Sequence, residues 1–213
     1  PSEVLTVLPR SFDLIMKLLA PLILFLFCQA AQAQSVVVFG DSISAAYGMN
    51  QDQGWVSLLS HRLALQYPHY EVVNASVSGE TTGGGVTRLP KTLELHQPDI
   101  IIFELGGNDG LRGYPIDKIR NNLARMIDAA RTADSRVLLV GMVLPPNYGR
   151  RYTKAFENAF ESLADEYDLP FVPFFLDGVT TERELIQGDG IHPTVEAQPK
   201  LLDDIWPELE PLL

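Results

Sequence analysis

Ser35-Val36-Val37-Val38-Phe39 is an unbroken apolar run, and it ends in Gly40-Asp41-Ser42. A run that does not alternate polar with apolar residues suits a strand covered on both faces, as in a parallel sheet. Downstream, Trp55, Leu58, Leu59 and Leu63 recur at helical spacing, so the stretch predicts strand, loop, helix. The same grammar repeats along the chain. Glu71-Val72-Val73-Asn74-Ala75 is a second strand, followed by a polar, glycine-rich loop from Ser76 to Gly85 and a helix from Val86 to His96. Ile100 to Leu105 is a third, broken at Gly106-Gly107. A helix should then open at Pro115, a residue suited to a first helical turn, with Ile116, Ile119, Leu123, Met126, Ile127 and Ala130 on its core face. Val137 to Val143 is a fourth strand. Tyr152, Phe156, Ala159, Phe160 and Leu163 pattern the next helix, Phe171-Val172 is a short fifth strand, and Pro193 to Trp206 is helical. Strands that alternate with helices predict an α/β fold with a parallel sheet. In such sheets the loops at the carboxyl ends of the strands line the ligand crevice.

The full sequence has 213 residues, 46% of them hydrophobic and 20% charged, a globular composition without internal repeats. Met16-Lys17, the apolar run Leu18 to Cys28 and Ala31-Gln32-Ala33 have the build of a secretory signal peptide: charged start, apolar centre, small-residue cleavage site. The expected organisation is therefore a leader (1–15), a signal peptide (16–33) and one domain (34–213), periplasmic or secreted. Cys28 is the single cysteine and falls within the signal segment, so the domain has neither a disulfide nor a thiolate nucleophile. The formal charge is −11, and residues 1–33 contribute two acids against two bases. Such a balance disfavours nucleic acid and gives no pull toward anionic membranes, so neither a nucleic-acid partner nor stable membrane insertion is expected.

Four polar segments fall after predicted strands or in the terminal loop. In Gly40-Asp41-Ser42 the glycine permits a sharp turn that would present the Ser42 hydroxyl at the start of a helix, near backbone N–H groups. A helix cap without chemistry has the same appearance. Asp189-Gly190-Ile191-His192 places a carboxylate three residues from an imidazole, close enough to orient it as a general base; a surface turn is the alternative. No second histidine accompanies His192, which speaks against a metal. Asn108, in Gly106-Gly107-Asn108-Asp109, could donate to an oxyanion or cap a turn, and Gly79 could supply a backbone N–H or simply make a turn.

Taken in order, Gly-Asp-Ser, Gly, Gly-Asn-Asp and Asp-x-x-His resemble the blocks of the SGNH/GDSL hydrolase family. Within it the chain is similar to the bacterial periplasmic multifunctional thioesterase/lysophospholipase/arylesterase group. Leu105 to Gly113, Pro146 to Tyr152 and Asp189 to Pro193 carry that likeness over essentially the whole domain. The resemblance implies a flavodoxin-like three-layer α/β/α sandwich with five parallel strands in the order 2-1-3-4-5. It implies Ser42 as nucleophile, His192 as base and Asp189 as its partner, and an oxyanion hole of the Ser42 and Gly79 amides with the Asn108 side chain. The segment Gly110, Leu111, Tyr114 would be a mobile substrate-binding loop. No cofactor and no metal are implied.

Three departures stand out: Ile43 where leucine is usual, Ala46 where glycine is frequent, and Gly83-Gly84-Gly85, which should loosen the loop after Gly79. The expected activity is cleavage of small acyl esters or thioesters through an acyl-serine, by a monomer. A carbohydrate O-acetyl esterase is the alternative within enzymes. A binding module that retained the scaffold and a phosphate-binding flavodoxin-like protein are rivals from other classes.

Overall fold

Strand β1 (Gln34–Gly40) is the axis of the fold, with Val36, Val37, Val38 and Phe39 wholly buried. It pairs in parallel with β2 (Tyr70–Asn74) on one side and β3 (Ile100–Glu104) on the other; β4 (Arg136–Val140) and β5 (Phe171–Val172) extend the sheet beyond β3. The order is 2-1-3-4-5, as the resemblance implies. The computed structural model describes residues 33–213. The expected leader, and all but the last residue of the expected signal segment, lie outside them.

Among the described residues six α-helices accompany the strands: α1 (Trp55–Gln66), α2 (Thr82–His96), α3 (Gly107–Leu111), α4 (Ile116–Thr132), α5 (Arg150–Tyr167) and α6 (Gln198–Leu209). The chain leaves β1 toward β2, then crosses back past β1 to β3 and onward. Right-handed crossovers therefore put α1 on one face and α2, α4 and α5 on the other. The packing follows: α1 lies against β2 and α6, and α4 lies between α2 and α5. The reversal at β1 and β3 opens a crevice at their carboxyl ends, where Gly40 and Glu104 are register partners.

Several local expectations are corrected. The segment after β1 does not enter a helix: Ala46 (φ 57°) and Gly48 (φ 77°) turn it left-handed, and regular helix begins at Trp55. Helix α2 begins at Thr82, not Val86, so Gly83-Gly84-Gly85 form its first turn rather than a flexible loop. Thr81 caps that turn by accepting from the Gly84 N–H (3.3 Å), while the Thr82 N–H and hydroxyl both donate to Asp109 (2.8 and 2.7 Å). Gly85 serves close packing, since a Cβ there would lie 2.8 Å from Leu105 and 3.0 Å from the Met126 sulfur. Strand β4 ends at Val140 rather than Val143. The short helix α3 was not anticipated; it follows Gly106, whose φ of 117° is a glycine conformation.

Candidate active site

Ser42 sits in the turn immediately after β1, at the mouth of the crevice. Its Oγ lies 2.8 Å from His192 Nε2, and His192 Nδ1 lies 2.6 Å from Asp189 Oδ2. Asp189 also accepts from the N–H groups of Ile191 and His192 (2.9 and 3.0 Å) through its other oxygen. The hydrogen bond from His192, aided by those two N–H groups, holds the Asp189 carboxyl down at about 2, so it remains charged in all but strong acid. With Nδ1–H committed to Asp189, Nε2 is left to accept the Ser42 proton.

Gly79 and Asn108 face the same space. Gly79 has φ 78°, its carbonyl accepts from Arg112, and among the described residues its N–H has no hydrogen-bond partner. Asn108, in α3, donates one amide proton to Asp41 Oδ2 at 2.9 Å, which fixes the orientation of the amide and leaves its second proton. Asp41 is buried and also accepts from the Ile43 N–H (3.1 Å). Burial raises its carboxyl to about 6 against the opposing pull of these hydrogen bonds.

Below Ser42 lies a polar cluster that the sequence motifs did not reveal. Glu104, wholly buried at the end of β3, accepts from the Ser44 hydroxyl (2.7 Å) and the Asp41 N–H (3.3 Å). The Trp55 indole donates to Ser44 Oγ (3.3 Å), and the Asn74 amide to the Ser44 carbonyl (2.7 Å). Burial, reinforced by the nearby Asp41 charge, raises the Glu104 carboxyl well above its ordinary range. The one signal in the sequence was a carboxylate terminating an otherwise apolar central strand.

Ser42, His192, Gly79 and Asn108 open onto a cavity of about 330 Å³ whose remaining wall is mainly apolar, including Leu111, Met142, Val143, Leu144, Leu176 and Ile191. Of the expected loop residues, Leu111 lines this cavity and Gly110 and Tyr114 do not. Gly110 is buried in α3, where a Cβ would meet Leu144 at 2.7 Å and Phe156 at 2.8 Å, so it is a packing glycine and not a hinge. The Tyr114 ring packs against the core, and its carbonyl accepts from the Tyr152 hydroxyl (2.7 Å), as the Leu111 carbonyl does from Tyr148 (2.8 Å). The loop is thus tied at both ends.

Residues 38–198 match the GDSL-like Lipase/Acylhydrolase family. The chain is 50% identical over 192 residues to esterase TesA of Pseudomonas aeruginosa, covering 90% of this chain and 96% of that protein. It is 41% identical over 185 residues to thioesterase 1/protease 1/lysophospholipase L1 of Escherichia coli, covering 87% and 88%. The crystal structure of a TesA superposes with a TM-score of 0.82 over 84% of this chain and 100% of that one, at 50% identity. The psychrotrophic esterase EstA from Pseudoalteromonas sp., in a structure inhibited by monoethylphosphonate, gives 0.80 over 84% and 97%, at 35% identity. Four motif segments gathered at the carboxyl edge of a 2-1-3-4-5 sheet, with matches of this extent, establish that the chain belongs to the GDSL-like lipase/acylhydrolase family and is a hydrolase of carboxylic esters and/or thioesters.

Proposed function

We propose that Ser42 is the nucleophile, His192 its general base and Asp189 the orienting carboxylate. The observation that carries this is the continuous chain from Ser42 Oγ through the imidazole to Asp189, at 2.8 and 2.6 Å. Ser42 Oγ attacks the acyl carbonyl as Nε2 takes its proton, and the C=O electrons move onto oxygen. The oxyanion is held by the N–H groups of Ser42 and Gly79 and by the free proton of the Asn108 amide. Collapse of the tetrahedral intermediate breaks the C–O or C–S bond, and the imidazolium protonates the departing alkoxide or thiolate. Water, deprotonated by His192, then attacks the acyl-serine, and Ser42 leaves with the proton returned to it.

The apolar wall of the cavity favours an acyl chain over a sugar ring, which supports aryl esters, acyl thioesters or lysophospholipids ahead of O-acetylated carbohydrate. Among the described residues no helix is long and apolar enough to cross a membrane. We assign residues 34–213, a compact unit on their own, as the catalytic domain, acting as a monomer. Residues 16–33 are assigned as a signal peptide cut after Ala33, giving a periplasmic or secreted enzyme.

Hydrolysis of p-nitrophenyl esters from acetyl to palmitoyl, with and without a serine-directed phosphonate, tests the reading. Phosphonate-sensitive turnover that favours medium or long chains and vanishes in Ser42→Ala is expected. Wild-type turnover by Ser42→Ala would refute the nucleophile, and activity confined to acetyl would favour the carbohydrate esterase.

A further inference from the structure

The base belongs to a loop that the sheet does not hold. Asp189, Gly190 and Ile191 are exposed, and Gly190 has φ 74°. Yet the imidazole must be kept within hydrogen-bond distance of a serine on β1, 150 residues away in sequence. Two side chains outside the reacting set span that gap. The carboxamide of Gln187 donates to the carbonyl of Tyr47, in the nucleophile segment, at 2.8 Å, and to the carbonyl of Pro193, beside the base, at 2.9 Å. Its backbone N–H donates to the His192 carbonyl at 2.7 Å. Both amide protons are therefore used, one on each catalytic segment. Gly48 leaves room for this: a Cβ there would fall 2.3 Å from Gln187 Oε1. The Tyr47 ring, about half exposed, lies over the imidazole with centroids 4.3 Å apart and planes 33° from parallel.

We propose that Gln187 and Tyr47 are positioning residues for the base. Gln187 staples the His192 loop to the nucleophile segment, and the Tyr47 ring fixes the plane of the imidazole and faces the positive charge that it acquires during proton transfer. The inference rests on the roles given above to Ser42 and His192. A displacement of about 1 Å at a reacting group can cost about a hundredfold in rate, and the face of an aromatic ring attracts a cation. The Tyr47 hydroxyl makes no hydrogen bond among the described residues, so the ring alone should suffice.

The test uses p-nitrophenyl acetate, because a longer chain would touch Tyr47 in the cavity wall and mix binding with positioning. Gln187→Ala and the isosteric Gln187→Glu, which lacks both donated protons, should each lose about 10- to 100-fold in kcat with KM little changed. Phosphonate labelling of Ser42 should slow in parallel. Tyr47→Phe should match wild type, and Tyr47→Leu should lose about fivefold in kcat. Folded Gln187 variants with undiminished kcat and labelling would overturn the staple, and equal losses in Tyr47→Phe and Tyr47→Leu would overturn the ring's role. Tyr47 is at the surface, so its two variants decide the ring's role by themselves, and Gln187, only half-buried in a loop, is decided by the isosteric Gln187→Glu. Wild-type labelling located at Ser42 by mass spectrometry reports separately on the nucleophile assignment.

Discussion

Two carboxylates within a few residues of the reacting centre are driven in opposite directions by their surroundings. Asp189, hydrogen-bonded to an imidazole and two N–H groups, is held at about 2, so acid inactivation should not arise from its protonation. Asp189→Asn removes the charge that orients His192 and should lower kcat by about 10³- to 10⁴-fold at neutral pH, measured with a short ester. Glu104 is buried beside Asp41 and raised. A raised carboxyl means that the folded chain holds more protons than the unfolded one above the ordinary pKa, so the stability that Glu104 contributes falls as pH rises above the usual carboxylate range. Glu104→Gln keeps an oxygen for Ser44 and Asp41 but removes the charge. Its melting temperature relative to wild type should therefore rise from pH 4 to pH 8; a difference that does not vary with pH would show that Glu104 is not the titrating group. Ala46 carries strain of another kind. Its φ of 57° is one that a glycine adopts freely and an alanine rarely.

At the scale of elements, the segment from α3 to Pro115 is tied at both ends, and its two glycines differ in what surrounds them. Gly110 is wedged against Leu144 and Phe156, whereas Gly113, at φ 67°, has no atom within 4 Å of a would-be Cβ. Gly110→Ala should therefore destabilise the fold by about 1–3 kcal/mol through overpacking. Gly113→Ala should act mainly on the backbone and shift the preference between short and long acyl esters. Thermal melts and the octanoyl-to-acetyl rate ratio would distinguish them, and an unchanged ratio in Gly113→Ala would remove the loop from chain-length selection. The identity of these two glycines predicts the same loop mobility for both; only their neighbours tell them apart. The glycine triplet at 83–85 teaches the same lesson. Composition reads it as slack, while the Thr81 cap and the approach of Leu105 and Met126 make it the opening turn of a packed helix.

At the scale of the whole molecule, the formal charge of −11 should repel anionic acyl substrates at a distance. Raising salt from about 10 to about 150 mM should increase kcat/KM for a negatively charged thioester and leave a neutral p-nitrophenyl ester almost unchanged. Equal responses would assign the salt effect to the fold instead of to encounter. The alternation of strands and helices was legible in the sequence because burial on both faces leaves unbroken apolar runs such as Val36 to Phe39 and Ile100 to Phe103. The strand order came from family resemblance, since periodicity carries no information about which strands are neighbours. Ser42, Gly79, Asn108, Asp189 and His192 were legible as candidates because each stands in a short motif whose spacing is itself chemical. Their convergence, the buried Glu104–Ser44–Trp55 cluster, and the reach of Gln187 across 140 residues to Tyr47 were decided by tertiary structure alone. Sequence patterns record local geometry and burial, whereas these contacts exist only once the crossovers have brought the carboxyl ends of separate strands, and the final loop, to one edge of the sheet.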